Sequence, residues 1–125
     1  MHRSRIGIFL IDLPEPAYDA GLAFWGAATG AEPVPADDGP YAGLGLLGGS
    51  VKLEVQRVGA GTAPRVHLDV ETDDVEAEVA RLEALGAVRH SDQGHFWQLR
   101  DPAGTVFCVV PVQTADFDRH ATTWD

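Results

Sequence analysis

Five residues of this 125-residue chain have the types and settings that do chemistry: Arg5, Glu54, His67, Trp97 and Cys108. His67 lies in "RVHLDV", residues 65–70, where Val66, Leu68 and Val70 alternate with His67 and Asp69. Period two places the imidazole on the polar face of a strand. There it can ligate a metal, act as a general base, or line a pocket through a hydrogen bond to Asp69, Glu54 or water. The "VKLEVQRV" stretch, residues 51–58, alternates in the same way and sets Glu54 and Gln56 on one face. A carboxylate buried there would have its pKa raised and could serve as a base. Cys108, in "TVFCVVP", reads as a small buried hydrophobe, since no electropositive neighbour that would activate a thiol is evident. Trp97 shares a period-two face with His95 and Leu99, as an apolar wall or as ordinary packing. Arg5 suits an anionic ligand or a surface acid. His90 and His95 flank a loop without the helical spacing of a zinc motif and read as surface residues.

The elements that must position these groups occur twice. "RVHLDVETDDVEAEVARLEALGA" opens as a strand and continues as a helix with Val75, Val79, Leu82 and Leu85 on one stripe. Asp73 and Glu76 have capping-box spacing, and Gly86 suits the left-handed position that ends a helix. The front of the chain has the same plan. Ile6, Ile8 and Leu10 alternate, a turn marked by Pro14 and Pro16 follows, and Tyr18, Leu22 and Trp25 form a helical stripe closed by Gly30. After each helix the pattern predicts a short strand, a loop and two longer strands. Those strands span about residues 41–47 and 51–58 in the first half, and about 95–100 and 105–110 in the second. The first loop centres on Asp37-Asp38-Gly39-Pro40, and Asp101-Pro102-Ala103-Gly104 suits a type I turn. The expected fold class is α+β: two tandem β-α-β-β-β modules, about 5–58 and 65–112, joined by a linker at 59–64 and followed by a tail at 113–125, all forming one domain. The tail is polar and weakly patterned, and Trp124 has no evident place.

A formal net charge of −10 repels phosphate backbones and anionic lipid surfaces, which argues against nucleic-acid and membrane partners. One cysteine excludes an internal disulfide and suits a reducing, cytoplasmic setting. The apolar stretch within "MHRSRIGIFLIDLPEP" is short and ends at Asp12, so it reads as a first strand rather than a signal peptide.

Tandem β-α-β-β-β units with "DP-x-G" before the last strand resemble the vicinal oxygen chelate superfamily. That group includes glyoxalase I, bleomycin-resistance proteins, fosfomycin-resistance enzymes and extradiol dioxygenases. The resemblance covers about residues 5–112, is strongest in "RVHLDVETDDVEAEVARLEALGA" and "WQLRDPAGTVFCVV", and is closest to the glyoxalase-like branch. It implies a cup of two curved sheets with helices outside, ligands inside, and a homodimer. It also implies metal ligands on the first and last strands of each unit. His67 matches one such place and Glu54 another, with Gln56 one step along the same face. Arg5 or Gly7 stands at the third place and offers no ligand, and Cys108 stands where a glutamate is implied. The resulting expectation is an incomplete metal site and no cofactor. A divalent ion on Glu54, His67 and Cys108 is the alternative. The function so implied is binding of a small hydrophobic or aromatic molecule in the cup, through Arg5, Gln56, His67 and Trp97. The alternative is a metal-dependent lyase, isomerase or dioxygenase using Glu54 and His67 as catalytic groups. A protein–protein module with a degenerate cup is the third class.

Overall fold

The computed structural model describes residues 1–36 and 39–125; Asp37 and Asp38 of the expected first loop lie outside them. Each half folds as its periodicity requires. Strand β1 (His2–Pro14) leads to helix α1 (Tyr18–Thr29), then β2 (Val34–Pro35), β3 (Tyr41–Leu47) and β4 (Val51–Val58). Strand β5 (Arg65–Thr72) leads to α2 (Val75–Ala84), then β6 (Val88–Asp92), β7 (Trp97–Arg100) and β8 (Val106–Pro111). The tail adds α3 (Phe117–His120) and β9 (Thr122–Trp124). The strands form one mixed sheet in the order β2-β3-β4-β1-β5-β8-β7-β6, with β9 also paired to β1. Among the described residues, no helix is long and apolar enough to cross a membrane. The chain divides into two compact units, residues 9–67 and residues 1–8 with 68–125. The first eight residues therefore fold with the second repeat.

In the unit of residues 9–67, α1 lays Tyr18, Leu22 and Trp25 on Ile11, Leu13, Leu44, Leu53 and Val55. Gly21 lets the strand approach, because a Cβ there would meet Leu13 Cδ1 at 2.5 Å. Leu53 and Val55 face the helix, so alternation puts Lys52, Glu54 and Gln56 on the opposite face of β4.

In the other unit, α2 packs Val75, Val79 and Leu82 on Val70, Trp97, Leu99, Phe107 and Val109. The helix starts one residue later than the acid spacing predicts. Asp74 is the N-cap and accepts the Ala77 N–H at 3.0 Å. Asp73 is held instead by Arg3, whose backbone N–H and Nε both donate to it. At the other end Ala87 N–H bonds to Leu82 O and Gly86 N–H to Glu83 O, with Gly86 at φ 114°. This is the six-to-one and five-to-two pattern that a left-handed glycine permits.

The tail is tied down through Glu78, a fully buried carboxylate on α2. His2 and Ser4 each approach it at 2.7 Å, and Arg81 donates to both its oxygens at 2.8 Å. Burial alone would raise this carboxyl, but Arg81, Ser4 and His2 outweigh it and hold the pKa below the ordinary value. The same Ser4 hydroxyl accepts the Trp124 indole N–H at 2.9 Å, and the Arg81 guanidinium lies 3.8 Å from the Trp124 ring centroid. Strand β9 pairs antiparallel with the start of β1, His2 opposite Trp124. Replacing Trp124 with Ala removes one hydrogen bond and one cation–π contact. It should lower stability by about 1–3 kcal/mol, read as a lower urea midpoint with an unchanged slope.

Candidate functional site

The candidate site begins on β5. Val70 packs towards α2, so His67, Asp69 and Glu71 share the opposite face. All three are buried, whereas Val66 is 61% exposed. Alternation predicts the two faces correctly, and the polar face is the more deeply buried of the two. Strand β8 runs parallel to β5, with Cys108 opposite Asp69. Val109 packs on the α2 side, so the buried Cys108 side chain points to the face that carries Asp69. One ligand-type atom from each of His67, Asp69 and Cys108 lies within 4.8 Å of the other two.

The imidazole is held from behind. His67 Nδ1 is 2.9 Å from Asp12 Oδ2, and Arg65 Nε donates to the same oxygen at 2.9 Å. Asp12 is fully buried, and its other oxygen has no hydrogen-bond partner among the described residues. Asp12 and Asp69 are the two site residues that the sequence did not single out. The available signals were local: Asp69 follows His67 at i+2 on the same strand face, and Asp12 interrupts an otherwise apolar strand end.

Arg5 is committed to Glu71. Its Nε donates to Glu71 Oε2 at 2.7 Å and its Nη2 to Thr114 Oγ1 at 2.7 Å. Glu71 Oε1 accepts the backbone N–H groups of Gln113 and Thr114, and the Thr114 hydroxyl donates to Oε2. The carboxylate lies over Gly7, where a Cβ would come within 2.4 Å of Glu71 Cδ, so only glycine fits. Burial pushes the Glu71 carboxyl up, but Arg5, Thr114 and the two amides outweigh it and hold the pKa below the ordinary value.

The remaining sequence candidates are placed as follows. Glu54 and Gln56 are half-buried on the β4 face away from α1, opposite Gly43 and Tyr41 of β3. Trp97 and Leu99 do share a face, but it is the helix face. The indole packs with the α2 cluster, donates to Glu76 at 3.2 Å, and lies under the Arg89 guanidinium. Trp97 therefore points away from the side of β8 that carries Cys108. His90 and His95 are exposed.

A nitrogen, an oxygen and a sulfur donor together suit a zinc-class ion better than magnesium or manganese, which prefer all-oxygen sites. A histidine whose second nitrogen meets a buried carboxylate is the usual setting of a metal-ligating imidazole. The residues present thus fit a divalent metal.

A family model described as "Glyoxalase-like domain" matches residues 9–110. No curated protein matches the chain. The Mn(II)-bound glyoxalase from Novosphingobium aromaticivorans superposes with a TM-score of 0.60 and 23% identity, over 89% of this chain and 40% of that one. A hypothetical protein from Bacillus halodurans C-125 gives a TM-score of 0.64 and 12% identity, over 88% of this chain and 95% of that one. A methylmalonyl-CoA epimerase from Streptomyces coelicolor, solved as a Q60A variant with 2-nitronate-propionyl-CoA, gives 0.57 and 18%, over 86% and 96%. At these identities the likeness is one of fold.

The Glu71 carboxyl carries a pH prediction. Because its folded pKa is lowered, its contribution to stability is complete above the ordinary value of 4.5 and is lost as pH falls through the lowered value. Glu71→Gln should flatten the acid limb of the stability profile. It should also cost about 3–5 kcal/mol at neutral pH, since Arg5 is left buried without its counter-charge. Urea midpoints measured across the acid range check both effects.

Proposed function

The chain belongs to the glyoxalase-like domain family of the vicinal oxygen chelate superfamily, and on that premise we propose that it binds a small molecule with neighbouring oxygens at a zinc-class ion held by His67, Asp69 and Cys108. The observation that supports this reading is the convergence of three donor atoms on β5 and its parallel neighbour β8. Three protein ligands are the usual number for a catalytic zinc, which keeps one position open. The set differs from the one the resemblance implied, because Asp69 takes the part assigned to Glu54. When bound, the ion would supply a Lewis acid for the small molecule's oxygens. The protein's own groups do the rest. Asp12 orients the imidazole, Cys108 contributes a thiolate, and Gln56 contacts the ligand. Where the bound molecule is turned over, Glu54 takes the proton, as lyase or isomerase chemistry requires. The proposal extends to both repeats acting as one domain, to a homodimer, and to a reducing, cytoplasmic setting, which a cysteine outside any disulfide suits.

A second reading is a metal-free cup that binds a hydrophobic or aromatic molecule through His67 and Gln56. The observation favouring it is Arg5, which stands at an implied ligand place and is committed to Glu71. Trp97, on the α2 side, takes no part in it.

Zinc titrated calorimetrically into chelator-treated protein separates the two. The first reading expects one equivalent to bind. Cys108→Ser and Asp69→Asn should each abolish or strongly weaken that binding, while manganese binds far more weakly to the parent. No zinc binding, together with aromatic compounds that raise the melting temperature of the metal-free protein, would establish the second reading in its place.

A further inference from the structure

We propose that residues 112–125 form a strap that closes the Glu71 end of the polar face of β5. It opens that end by lifting from the sheet while both buried glutamates stay ion-paired. Such a strap does not require the metal. The tail passes from one face of the sheet to the other. Its Gln113–Thr114 turn sits on Glu71, on the face that also carries Asp69. Arg5 points to that face, and so, two residues earlier on β1, does Arg3. The Arg3 guanidinium lies 5.2 Å from the ring centroid of the buried Phe117 and 2.9 Å from Asp118, which puts α3 on the same side. Strand β9 then runs beside the start of β1 and turns Trp124 to the α2 face, onto Ser4 and Arg81. What the tail gives to the two anchors is neutral. Glu71 receives from it two backbone N–H groups and the Thr114 hydroxyl, while its counter-charge is Arg5. The Trp124 indole donates to Ser4 rather than to Glu78, whose counter-charge is Arg81. A buried carboxylate that loses its cation is strongly penalised, whereas one that loses neutral donors can take water in their place. The tail can therefore leave without stranding a charge. Its own elements are slight, four residues in α3 and three in β9, and are too short to persist undocked. The Arg3–Asp118 ion pair leaves the carboxylate 81% exposed and contributes little.

The competing role is that of a fixed piece of the core, which leaves only when the whole unit unfolds. Cys108 is the sole cysteine, is buried, and points to the face that the strap closes. Its alkylation by iodoacetamide in chelator-treated protein, followed by mass, reads the opening. Urea separates the two routes. Lifting of the strap alone exposes little surface and gives a shallow urea dependence, whereas unfolding gives the full slope of the equilibrium transition. Trp124→Ala and Phe117→Ala loosen the strap at its end and its middle. Val79→Ala instead weakens the packing of α2 on Leu99 and Val109. Trp124 is only half-buried, so its variant keeps the test open if Phe117→Ala fails to fold. The expected result is slow labelling of the parent with a shallow slope at low urea. Labelling should be about 5–30-fold faster in the two strap variants. It should stay near the parent's rate in Val79→Ala, although that variant's urea midpoint falls. Parent labelling that follows the full unfolding slope throughout, or that is as rapid as for an unfolded chain, overturns the inference. So does a Val79→Ala variant that labels as fast as Trp124→Ala. The protein is metal-free throughout, so a failure of zinc binding leaves this result intact, and a failure here leaves the zinc titration intact.

Discussion

Three carboxylates without exposed surface, Asp12, Glu71 and Glu78, set the terms for everything packed around them. A charge taken out of water costs several kcal/mol, on the order of 3–5 when its partner is removed, so each must be answered by donors brought from elsewhere in the chain. Glu78 draws in His2, Ser4 and Arg81, and through Ser4 and Arg81 it also seats Trp124. Glu71 draws in Arg5 and the Gln113–Thr114 turn. The N-terminal residues and the tail are thus fixed to the second repeat by charge as much as by apolar contact. Both glutamates are held by several donors, which marks them as structural. Asp12 differs, because one of its oxygens lies 2.9 Å from both Arg65 Nε and His67 Nδ1 and the other has no hydrogen-bond partner among the described residues.

Much of the fold was legible because it is written in local periodicity. The stripe of Tyr18, Leu22 and Trp25, the alternation of Leu53 and Val55, and the glycines at 30 and 86 each act within a few residues. The errors arise where a distant partner decides. Asp73 and Asp74 are both eligible caps, and the choice falls to Arg3, 70 residues away in sequence. The tail offers only short elements, α3 and β9. It docks through the single side chain of Trp124, which no periodic pattern could announce.

The site was legible by halves for the same reason. Period two put His67 and Asp69 on one face, and "TVFCVVP" marked Cys108 as buried. That Asp69 stands opposite Cys108 depends on the register of two parallel strands nearly forty residues apart in sequence. Likewise, spacing shows that Trp97 and Leu99 share a face, but only α2 packing on that face tells which one it is. What the structure adds to the sequence is the partners: Arg5 donates to Glu71 and Thr114, and Trp97 packs with the α2 cluster.

The central claim is that three side chains on β5 and β8 form one metal centre. Its most direct test is diffraction from zinc-loaded crystals on either side of the zinc absorption edge. The account predicts a single anomalous peak bonded to His67 Nε2, an Asp69 carboxylate oxygen and Cys108 Sγ, with Asp12 still on Nδ1 of the same ring. A peak ligated by Glu54 without Asp69, or fully loaded crystals whose zinc lies away from β5, would contradict it.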